Sequence, residues 1–397
     1  DFAEHLTYVP GEFSDPGSMN HVVDHLAAID RRRGTSGGRL FYAATPPIAY
    51  PDIVQRIAEA GMHRDAKIVF EKPFGRDLAS AMELDRAIHE VFDESQVFRI
   101  DHYLGKETVQ GILAFRFANG LFEPIWNRRY IDHVQVTVAE DIGIEGRGSF
   151  YEETGAIRDI VATHLFQIMT FVAMEPPVSL DPDRLRDEKV KVLRSTMVCD
   201  PRRVVRGQYR GYRQEEGVAD DSTVETFAAM ELEIDNWRWA GVPFYLRSGK
   251  RMTAKTSEIT LKFKEVPFNV FRGTEMELPK RDHLTIRIQP DEGITLALNA
   301  KRPGAEMELG RVTMDFDYEQ EFEGRIADAY ELLLLEAMEG DHTLFLRQDG
   351  VERAWQILTP VLEHPSPIQM YEPGTWGPDA ADALIHPRKW HVVGGRE

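Results

Sequence analysis

Side chains capable of chemistry are concentrated in one short polar segment near position 100. The segment reads Asp101-His102-Tyr103-Leu104-Gly105-Lys106-Glu107, so an imidazole, a phenol and an ammonium group stand within five positions. An apolar run precedes the segment and a helical pattern follows it, and the amide groups at the start of a helix favour an anion. The segment therefore predicts an anion-binding site. The alternative is an ordinary polar junction between a strand and a helix.

The chain before this segment alternates between strand and helix patterns, which predicts how the segment is positioned. An N-cap at Asp15 followed by Pro16 begins a helical pattern that ends at Gly34. Five further segments alternate, with strand patterns at 39–44, 67–70 and 96–100 and helical patterns at 51–60 and 77–92. Such alternation predicts a parallel sheet with right-handed crossovers. Ligands of such sheets bind at the carboxyl ends of the strands.

Two more polar segments follow the first two of these strands. Thr45-Pro46-Pro47, with Tyr50 close behind, follows the first strand, and Glu71-Lys72-Pro73-Phe74-Gly75 follows the second. Pro73 fixes the turn after the second strand, and an X-Pro bond there can be cis. We expect both segments at the same edge of the sheet as Asp101.

The hydrophobic pattern changes at about residue 110. Period-two alternation, as in Val134, Val136 and Val138, predicts antiparallel strands with one face on a core. Helical patterns are interleaved at 156–174, 326–338 and 351–362. The expected fold is therefore α/β plus α+β: a partial Rossmann-type parallel sheet, then a large, mainly antiparallel sheet with helices on one face. We place the domains at 1–104, an incomplete dinucleotide-binding domain, and 105–397, an α+β domain for substrate binding and oligomerisation.

The segment 180–222 is rich in charge and poor in periodicity. Its arginines could form a basic patch, although a solvated loop is the favoured interpretation. The arginines concerned are Arg202, Arg203, Arg206, Arg210 and Arg213.

Composition limits the partners that the protein can have. The net charge of −19 over 397 residues disfavours nucleic acid and anionic membranes, so an anionic ligand needs a local cluster of bases. A single cysteine excludes an intrachain disulfide framework and a four-thiolate metal site, which indicates a reducing compartment. No run of about 18 apolar residues occurs, and the first residues lack the pattern of a leader. The expected location is cytoplasmic.

Several motifs, in the same order along the chain, resemble the glucose-6-phosphate dehydrogenase family. The resemblance spans nearly the whole chain. It rests on Glu71–Gly75, Arg99–Glu107, Glu145-Gly146-Arg147-Gly148, Arg158-Asp159 with His164, Gly241–Arg251 and Gly374-Thr375-Trp376-Gly377-Pro378.

The resemblance implies roles for residues that grip a phosphate and a sugar ring. His102, Tyr103 and Lys106 bind the phosphate, and Lys250 and Lys255 form a second basic arm around the substrate. Without the surrounding Arg-Ser-Gly-Lys motif, two such lysines are more often solvated surface.

Acceptors for the sugar hydroxyls are implied in the same way. They are Glu140 and Asp159, with Gln289 as a weaker candidate. Isolated carboxylates are mostly solvated, so these assignments depend on the resemblance.

The family's general base corresponds to His164, paired with Asp101. His164 lies on an apolar helix stripe, where an isolated histidine is more often a core residue. A buried imidazole with a carboxylate partner suits proton abstraction. The resemblance also places Lys72 between coenzyme and substrate, and Tyr50 is a candidate for the coenzyme side.

The implied reaction is oxidation of D-glucose 6-phosphate at C1 to 6-phosphogluconolactone, with hydride transfer to NADP and no metal. The resemblance further implies a homodimer or homotetramer formed through the large sheet. Family members begin with a strand, a Gly-rich turn of the type Gly-x-x-Gly-Asp-Leu and a helix, and nothing similar precedes Asp1. We therefore expect an N-terminally incomplete coenzyme domain. The alternative is a sugar-phosphate-binding subunit or fragment without turnover.

Overall fold

The computed structural model describes residues 2–12, 15–35, 37–271, 280–322 and 327–392. The chain forms two compact units. The first consists of Asp1–His102, Ser179–Arg186 and Tyr330–Glu352. The second consists of Tyr103–Val178, Asp187–Ala329 and Arg353–Glu397. The domain boundary after residue 104 remains a proposal.

Helices and strands are numbered here along the chain. The helices are α1 (Pro16–Arg33), α2 (Tyr50–Glu59), α3 (Leu78–His89), α4 (Glu107–Phe117), α5 (Gly148–Ala156), α6 (Phe166–Ala173), α7 (Pro182–Ser195), α8 (Tyr318–Glu321), α9 (Ala329–Glu339), α10 (Gln348–Glu363) and α11 (Ala380–Ile385). A π-helix, Ile157–Leu165, joins α5 to α6. The strands are β1 (Arg39–Ala43), β2 (Ala66–Phe70), β3 (Val97–Ile100), β4 (Ile131–Ala139), β5 (Val204–Tyr209), β6 (Phe227–Glu233), β7 (Pro243–Gly249), β8 (Thr256–Phe263), β9 (His283–Gln289), β10 (Gly293–Lys301), β11 (Leu309–Asp317), β12 (Phe345–Leu346) and β13 (Ile368–Tyr371). Short 3-10 helices lie at Phe2–His5, Pro47–Ala49, Glu94–Gln96, Glu123–Ile125, Pro201–Arg203 and Tyr212–Gln214.

The first unit is built on the predicted parallel sheet. Its strand order is β1-β2-β3-β12, with the first three parallel and β12 antiparallel to β3. The expected caps are present, since the Asp15 carboxylate accepts from the N–H groups of Gly17 and Ser18 at 3.1 and 3.0 Å, and Gly34 ends α1 with φ 70°. The carboxyl ends of β1, β2 and β3 therefore share one edge.

The second unit contains the large sheet, in the order β11-β10-β9-β8-β4-β7-β6-β5-β13. Neighbouring strands are antiparallel except for β4 with β7 and β5 with β13, which are parallel. This arrangement, with the parallel sheet of the first unit, confirms the predicted fold class.

Both faces of the central strands are buried, whereas the alternation of β4 predicted a solvated polar face. Gln135 and Thr137 are each 2% exposed. The C-terminal segment covers this face: Gln135 donates to the Lys389 carbonyl at 2.8 Å and accepts from the His391 N–H at 2.7 Å. The Arg247 guanidinium lies 4.3 Å from the ring centre of Trp390. Alternation therefore identified the strands but not the burial of their polar side.

The interpretation of residues 180–222 as a solvated loop or basic patch was wrong. The segment contains α7, which buries Leu185, Val192 and Leu193, and β5, a strand of the large sheet. Four of its arginines form ion pairs, and the fifth, Arg213, donates to Gln208. The pairs are Arg202 with Asp200, Arg203 with Glu231 and Glu233, Arg206 with Glu225, and Arg210 with Glu372. The partners of Arg203, Arg206 and Arg210 lie outside this segment, so the local charge density was misleading.

The central helical run of the second unit begins earlier than predicted, at Gly148 rather than Ala156. Gly155, with φ 62° and ψ 177°, interrupts it before the π-helix. Among the described residues, Gly148–Ala173 is the one helix with the length and composition to cross a membrane, but 89% of its apolar window is buried inside the protein. The helix expected from 326 begins at Ala329, and Ile326 itself lies outside the described residues.

Candidate active site

Tyr103, Lys106 and Gln289 form a hydrogen-bonded group in the second unit. The Lys106 ammonium donates to Gln289 Oε1 at 2.8 Å, and Gln289 Nε2 donates to the Tyr103 hydroxyl at 3.3 Å. That hydroxyl also pairs with Ser257 Oγ at 2.9 Å. Lys106 stands at the N-cap of α4, with its Nζ 5.2 Å from the centre of the Tyr103 ring. The predicted phosphate-binding side chains Tyr103 and Lys106 are thus brought together.

The electrostatics of Lys106 favour an anionic ligand. Burial lowers its pKa below the usual value, Glu292 raises it, the Lys255 ammonium lowers it and Asp328 raises it. Lys255 is exposed, and its effect on Lys106 means that the two ammonium groups act on the same region. An anion placed there relieves their mutual repulsion, in a chain whose overall charge is negative.

Glu140 and Lys250 form an ion pair because β4 and β7 run parallel. Ala139 is paired with Gly249, so the next residue of each strand emerges at the same edge. The Lys250 ammonium donates to Glu140 Oε2 at 2.5 Å and lies 5.2 Å from the centre of the Tyr151 ring. Lys250 is 2% exposed whereas the Glu140 side chain is 28% exposed, so the pair is preformed with its lysine desolvated and its carboxylate still reached by solvent. Its lysine and carboxylate were predicted for different parts of the substrate.

Asp159 and His164 both lie on the π-helix. In an α-helix residues five apart point about 140° away from each other, since each residue turns about 100°. Hydrogen bonding from i to i+5 instead stacks them in successive turns, and such turns are frequent at functional sites. His164 is 1% exposed, and its ring stacks on Tyr103 with centroids 4.4 Å apart. The π-helix thus brings Asp159 and His164 closer to one face than an α-helix would, and His164 contacts the Tyr103 ring.

Asp101 and His102 belong to the first unit and follow β3. Asp101 is buried, at 1% exposed, and the His102 ring lies nearly parallel to that of Tyr330, with centroids 6.1 Å apart. The pairing of Asp101 with His164 stays a prediction, as does the phosphate role of His102.

Lys72 and Tyr50 lie at the end of β2 in the same unit. The Lys72–Pro73 peptide is cis. Tyr50 is fully buried, and its hydroxyl donates to the Glu71 carbonyl at 2.8 Å. Burial, followed by the Glu71 charge, raises the pKa of Tyr50, which keeps this hydroxyl a donor. Tyr50 therefore holds Glu71 and the half-buried Lys72 in place, and a direct contact of Tyr50 with a coenzyme stays a prediction.

Sequence reasoning missed three side chains of these groups. Ser257 contacts the Tyr103 hydroxyl, the Tyr151 ring contacts the Lys250 ammonium, and the Tyr330 ring lies beside the His102 ring. None of the three carries a local signal, because hydroxyl-bearing residues at strand and helix starts are common. Only the tertiary arrangement identifies them.

Comparison with known proteins gives the same family along the whole chain. Residues 1–111 match the family model described as glucose-6-phosphate dehydrogenase, NAD binding domain, and residues 113–391 match the model of its C-terminal domain. Glucose-6-phosphate 1-dehydrogenase 2 of Mycobacterium tuberculosis is 46% identical over 410 residues, covering 98% of this chain and 80% of that protein.

Two solved structures share the fold, each with a TM-score of 0.90. Glucose-6-phosphate 1-dehydrogenase from Mycobacterium avium is 40% identical, covering 100% of this chain and 84% of that one. A glucose-6-phosphate dehydrogenase in complex with its substrate glucose-6-phosphate is 35% identical, covering 99% and 84%. Nothing in these comparisons favours a binding subunit without turnover. The matches to both domain models and to these relatives establish that the chain belongs to the glucose-6-phosphate dehydrogenase family.

Proposed function

We propose that this protein oxidises D-glucose 6-phosphate at C1 to 6-phosphogluconolactone with NADP, the first step of the oxidative pentose phosphate pathway. Family membership makes it an oxidoreductase. The observation that carries the proposal is the stacking of the buried His164 ring on Tyr103, whose ring also lies beneath the Lys106 ammonium. A proton acceptor, His164, and a positively charged binding site for an anion, Lys106, thereby both contact the Tyr103 ring.

The charges of these side chains support the proposed substrate roles. Lys106 and Tyr103 hold the phosphate, with Lys255 adding a second positive charge and His102 a further donor. Gln289 orients Lys106 and Tyr103 through its two hydrogen bonds. It remains the weaker candidate for a hydrogen bond to the sugar.

The remaining site residues bind the sugar hydroxyls and abstract the proton. Glu140 and Asp159 accept from sugar hydroxyls, and Lys250 fixes Glu140. His164 takes the proton of the C1 hydroxyl at a ring nitrogen, and Asp101 stabilises the imidazolium.

The first unit fits a nicotinamide coenzyme. Parallel strands end together at the edge where Lys72 follows β2, and that edge is where dinucleotides bind in such sheets. When bound, NADP supplies the acceptor for the hydride that leaves C1. On the family resemblance, Lys72 is assigned to contact both coenzyme and substrate. The preference for NADP over NAD rests on the family resemblance, and so does a cytoplasmic location.

The activity is tested with purified protein, glucose 6-phosphate and NADP. We expect the absorbance of reduced nicotinamide to rise only when both substrates are present, and far more slowly with free glucose, because the phosphate-binding lysines then have no partner. Calorimetry on the same preparation gives the affinity for the sugar phosphate. Tight binding of glucose 6-phosphate without reduction of NADP or NAD would replace the proposal with the binding-subunit alternative.

We also propose that the protein is a homodimer or homotetramer formed through the large sheet. β10 and β11 present an apolar ladder on one face, in which Leu296 is paired with Met314 and Leu298 with Val312. Met314 is 64% and Val312 42% exposed, although both lie on a sheet face. Apolar patches of this kind mark contact surfaces.

Met314→Glu is expected to weaken self-association by at least about tenfold, because it places a charge within the apolar ladder. Sedimentation velocity over a concentration series measures the change. Thr313→Glu, which adds the same charge to the exposed opposite face of β11, is the matched control. An unchanged assembly of the Met314→Glu variant would exclude this face as the interface.

A further inference from the structure

The carboxylate of Glu225 is buried, at 3% exposed, although the proposed reaction assigns it no role. It lies in the segment 224–226 before β6, within the second unit. Its Oε1 accepts from the Ile157 N–H at 3.1 Å, and its own carbonyl accepts from the Ala156 N–H at 2.9 Å. Glu225 therefore binds the two residues at which the π-helix begins.

These two N–H groups need an external partner. Gly155 has φ 62°, so the helical hydrogen-bond pattern is broken immediately before the π-helix. A Cβ at position 155 would lie 2.6 Å from Glu225 Oε1, so only glycine lets the carboxylate approach. A negative charge at the beginning of a helix is also favoured by the aligned peptide dipoles. Glu225 and Gly155 thus form one connection between β6 and the π-helix.

Arg206 fixes the orientation of the Glu225 carboxylate. Its Nε and Nη2 donate to Glu225 Oε2 at 3.1 and 2.9 Å. The same guanidinium donates to the carbonyls of Ser366 and Thr223 at 2.9 and 2.7 Å. Both carboxylate oxygens therefore accept hydrogen bonds, one from the helix and one from an arginine that itself donates to main-chain carbonyls.

The next residue, Thr226, fixes Lys250. The Thr226 carbonyl accepts from the Lys250 N–H at 2.9 Å, and the Tyr371 hydroxyl bridges Thr226 Oγ1 at 3.0 Å and the Lys250 carbonyl at 2.6 Å. Consecutive residues of one segment thus hold the start of the helix that carries Asp159 and His164, and the main chain of Lys250. The relative placement of these three groups depends on this segment.

We propose that Glu225, oriented by Arg206, is a positioning residue that sets the π-helix, and with it Asp159 and His164, against the substrate arm formed by Lys250. This inference rests on the proposed function. Removing the carboxylate leaves the side chains of Asp159, His164 and Lys250 intact but releases the helix start. Small displacements of this kind reduce catalysis without abolishing binding.

Glu225→Ala is expected to lower kcat for glucose 6-phosphate oxidation about tenfold, with KM changed by less than about threefold. Glu225→Gln keeps an oxygen for the Ile157 N–H and loses only the charge opposite Arg206, so its loss of kcat should be smaller. Because the Gln variant preserves the shape of the buried side chain, it also serves if the Ala variant fails to fold.

Glu123→Gln is the matched control. Glu123 is likewise a carboxylate between two arginines, Arg116 at 3.1 Å and Arg238 at 2.8 Å, and Arg116 binds carbonyls at the other end of the same helical run. We expect this variant to lower Tm without changing kcat. Equal losses of kcat in the Glu123 and Glu225 variants, or a Glu225→Ala variant with lowered Tm and unchanged kcat, would overturn the positioning role.

Hydrogen exchange separates this inference from the proposed function. Amides of residues 156–165 should exchange faster in Glu225→Ala than in wild type, and should be unaffected by Glu123→Gln. Unchanged exchange would overturn the inference even if the wild type is active. A wild type without turnover would contradict the proposed function, and the connection between Glu225 and the π-helix would then be judged by exchange alone.

Discussion

His164→Asn is expected to lower kcat for glucose 6-phosphate oxidation about 10²–10⁴-fold, the usual contribution of a positioned general base. Asparagine keeps the approximate shape and a hydrogen-bonding group but has no basic nitrogen. The phosphate-binding side chains do not depend on that nitrogen, so the Kd for glucose 6-phosphate should change little. Stopped-flow or steady-state reduction of NADP gives kcat, and calorimetry gives Kd.

The competing interpretation is that His164 is only a core residue, as its 1% exposure and its packing on Tyr103 allow. In that case His164→Asn would lower Tm and leave kcat of the folded enzyme nearly intact. Tm, Kd and kcat are therefore measured on one preparation. Asp101→Asn should impair the same step, because an amide does not stabilise an imidazolium, and the double variant should be less than additive.

Lys106→Ala is expected to weaken binding of glucose 6-phosphate by about 1.5–3 kcal/mol, the scale of a hydrogen bond to a charged group. This is a loss of about 10- to 150-fold in affinity. Calorimetric titration of glucose 6-phosphate and of free glucose compares a ligand with and without the phosphate. Equal losses for the two sugars would remove Lys106 from the phosphate site. Lys264→Ala, at an exposed lysine bound to the Arg128 carbonyl, is the control.

The pH dependence of binding gives a second test of Lys106. Burial, the first cause, lowers its pKa below the usual lysine value. The ammonium is present below that pKa and is lost above it, so affinity should begin to fall at a lower alkaline pH than for an ordinary lysine. Lys106→Arg remains charged throughout this range and should remove that fall. An identical alkaline profile in both proteins would assign the fall to another group.

Local sequence rules predicted the first unit well because its signals are local. The caps at Asp15 and Gly34 lie next to the helix that they define, and each strand of the parallel sheet is a separate apolar run. Of the hydrogen-bonded group Tyr103, Lys106 and Gln289, the sequence predicted that Tyr103 and Lys106 lie together, because they are close in sequence. Their common partner Gln289 was assigned to the sugar instead, since nothing local connects position 289 with position 106.

Features that depend on distant partners were not predictable in this way. Seven of the nine residues of the π-helix are buried, so their apolar pattern does not distinguish i to i+4 from i to i+5 hydrogen bonding. The shared face of Asp159 and His164 was therefore missed. The ion pairs of Arg203, Arg206 and Arg210 were missed because their partners Glu231, Glu225 and Glu372 lie outside the segment 180–222. The polar face of β4 looked exposed because the chain that covers it, near His391, follows much later.

The last strand of the parallel sheet has a consequence for how the protein is made. β12 completes the sheet beside β3, and close to it the His342 imidazole binds the Ser95 carbonyl, across 247 residues of sequence. A ribosome that adds about 5–20 residues per second needs roughly 10–50 s to synthesise such a stretch. During that interval the β3 edge has no β12 partner, and an unpaired edge invites pairing with other chains. We therefore expect nascent chains that end before residue 345 to be retained by chaperones, and the first unit to mature only after β12 has been synthesised.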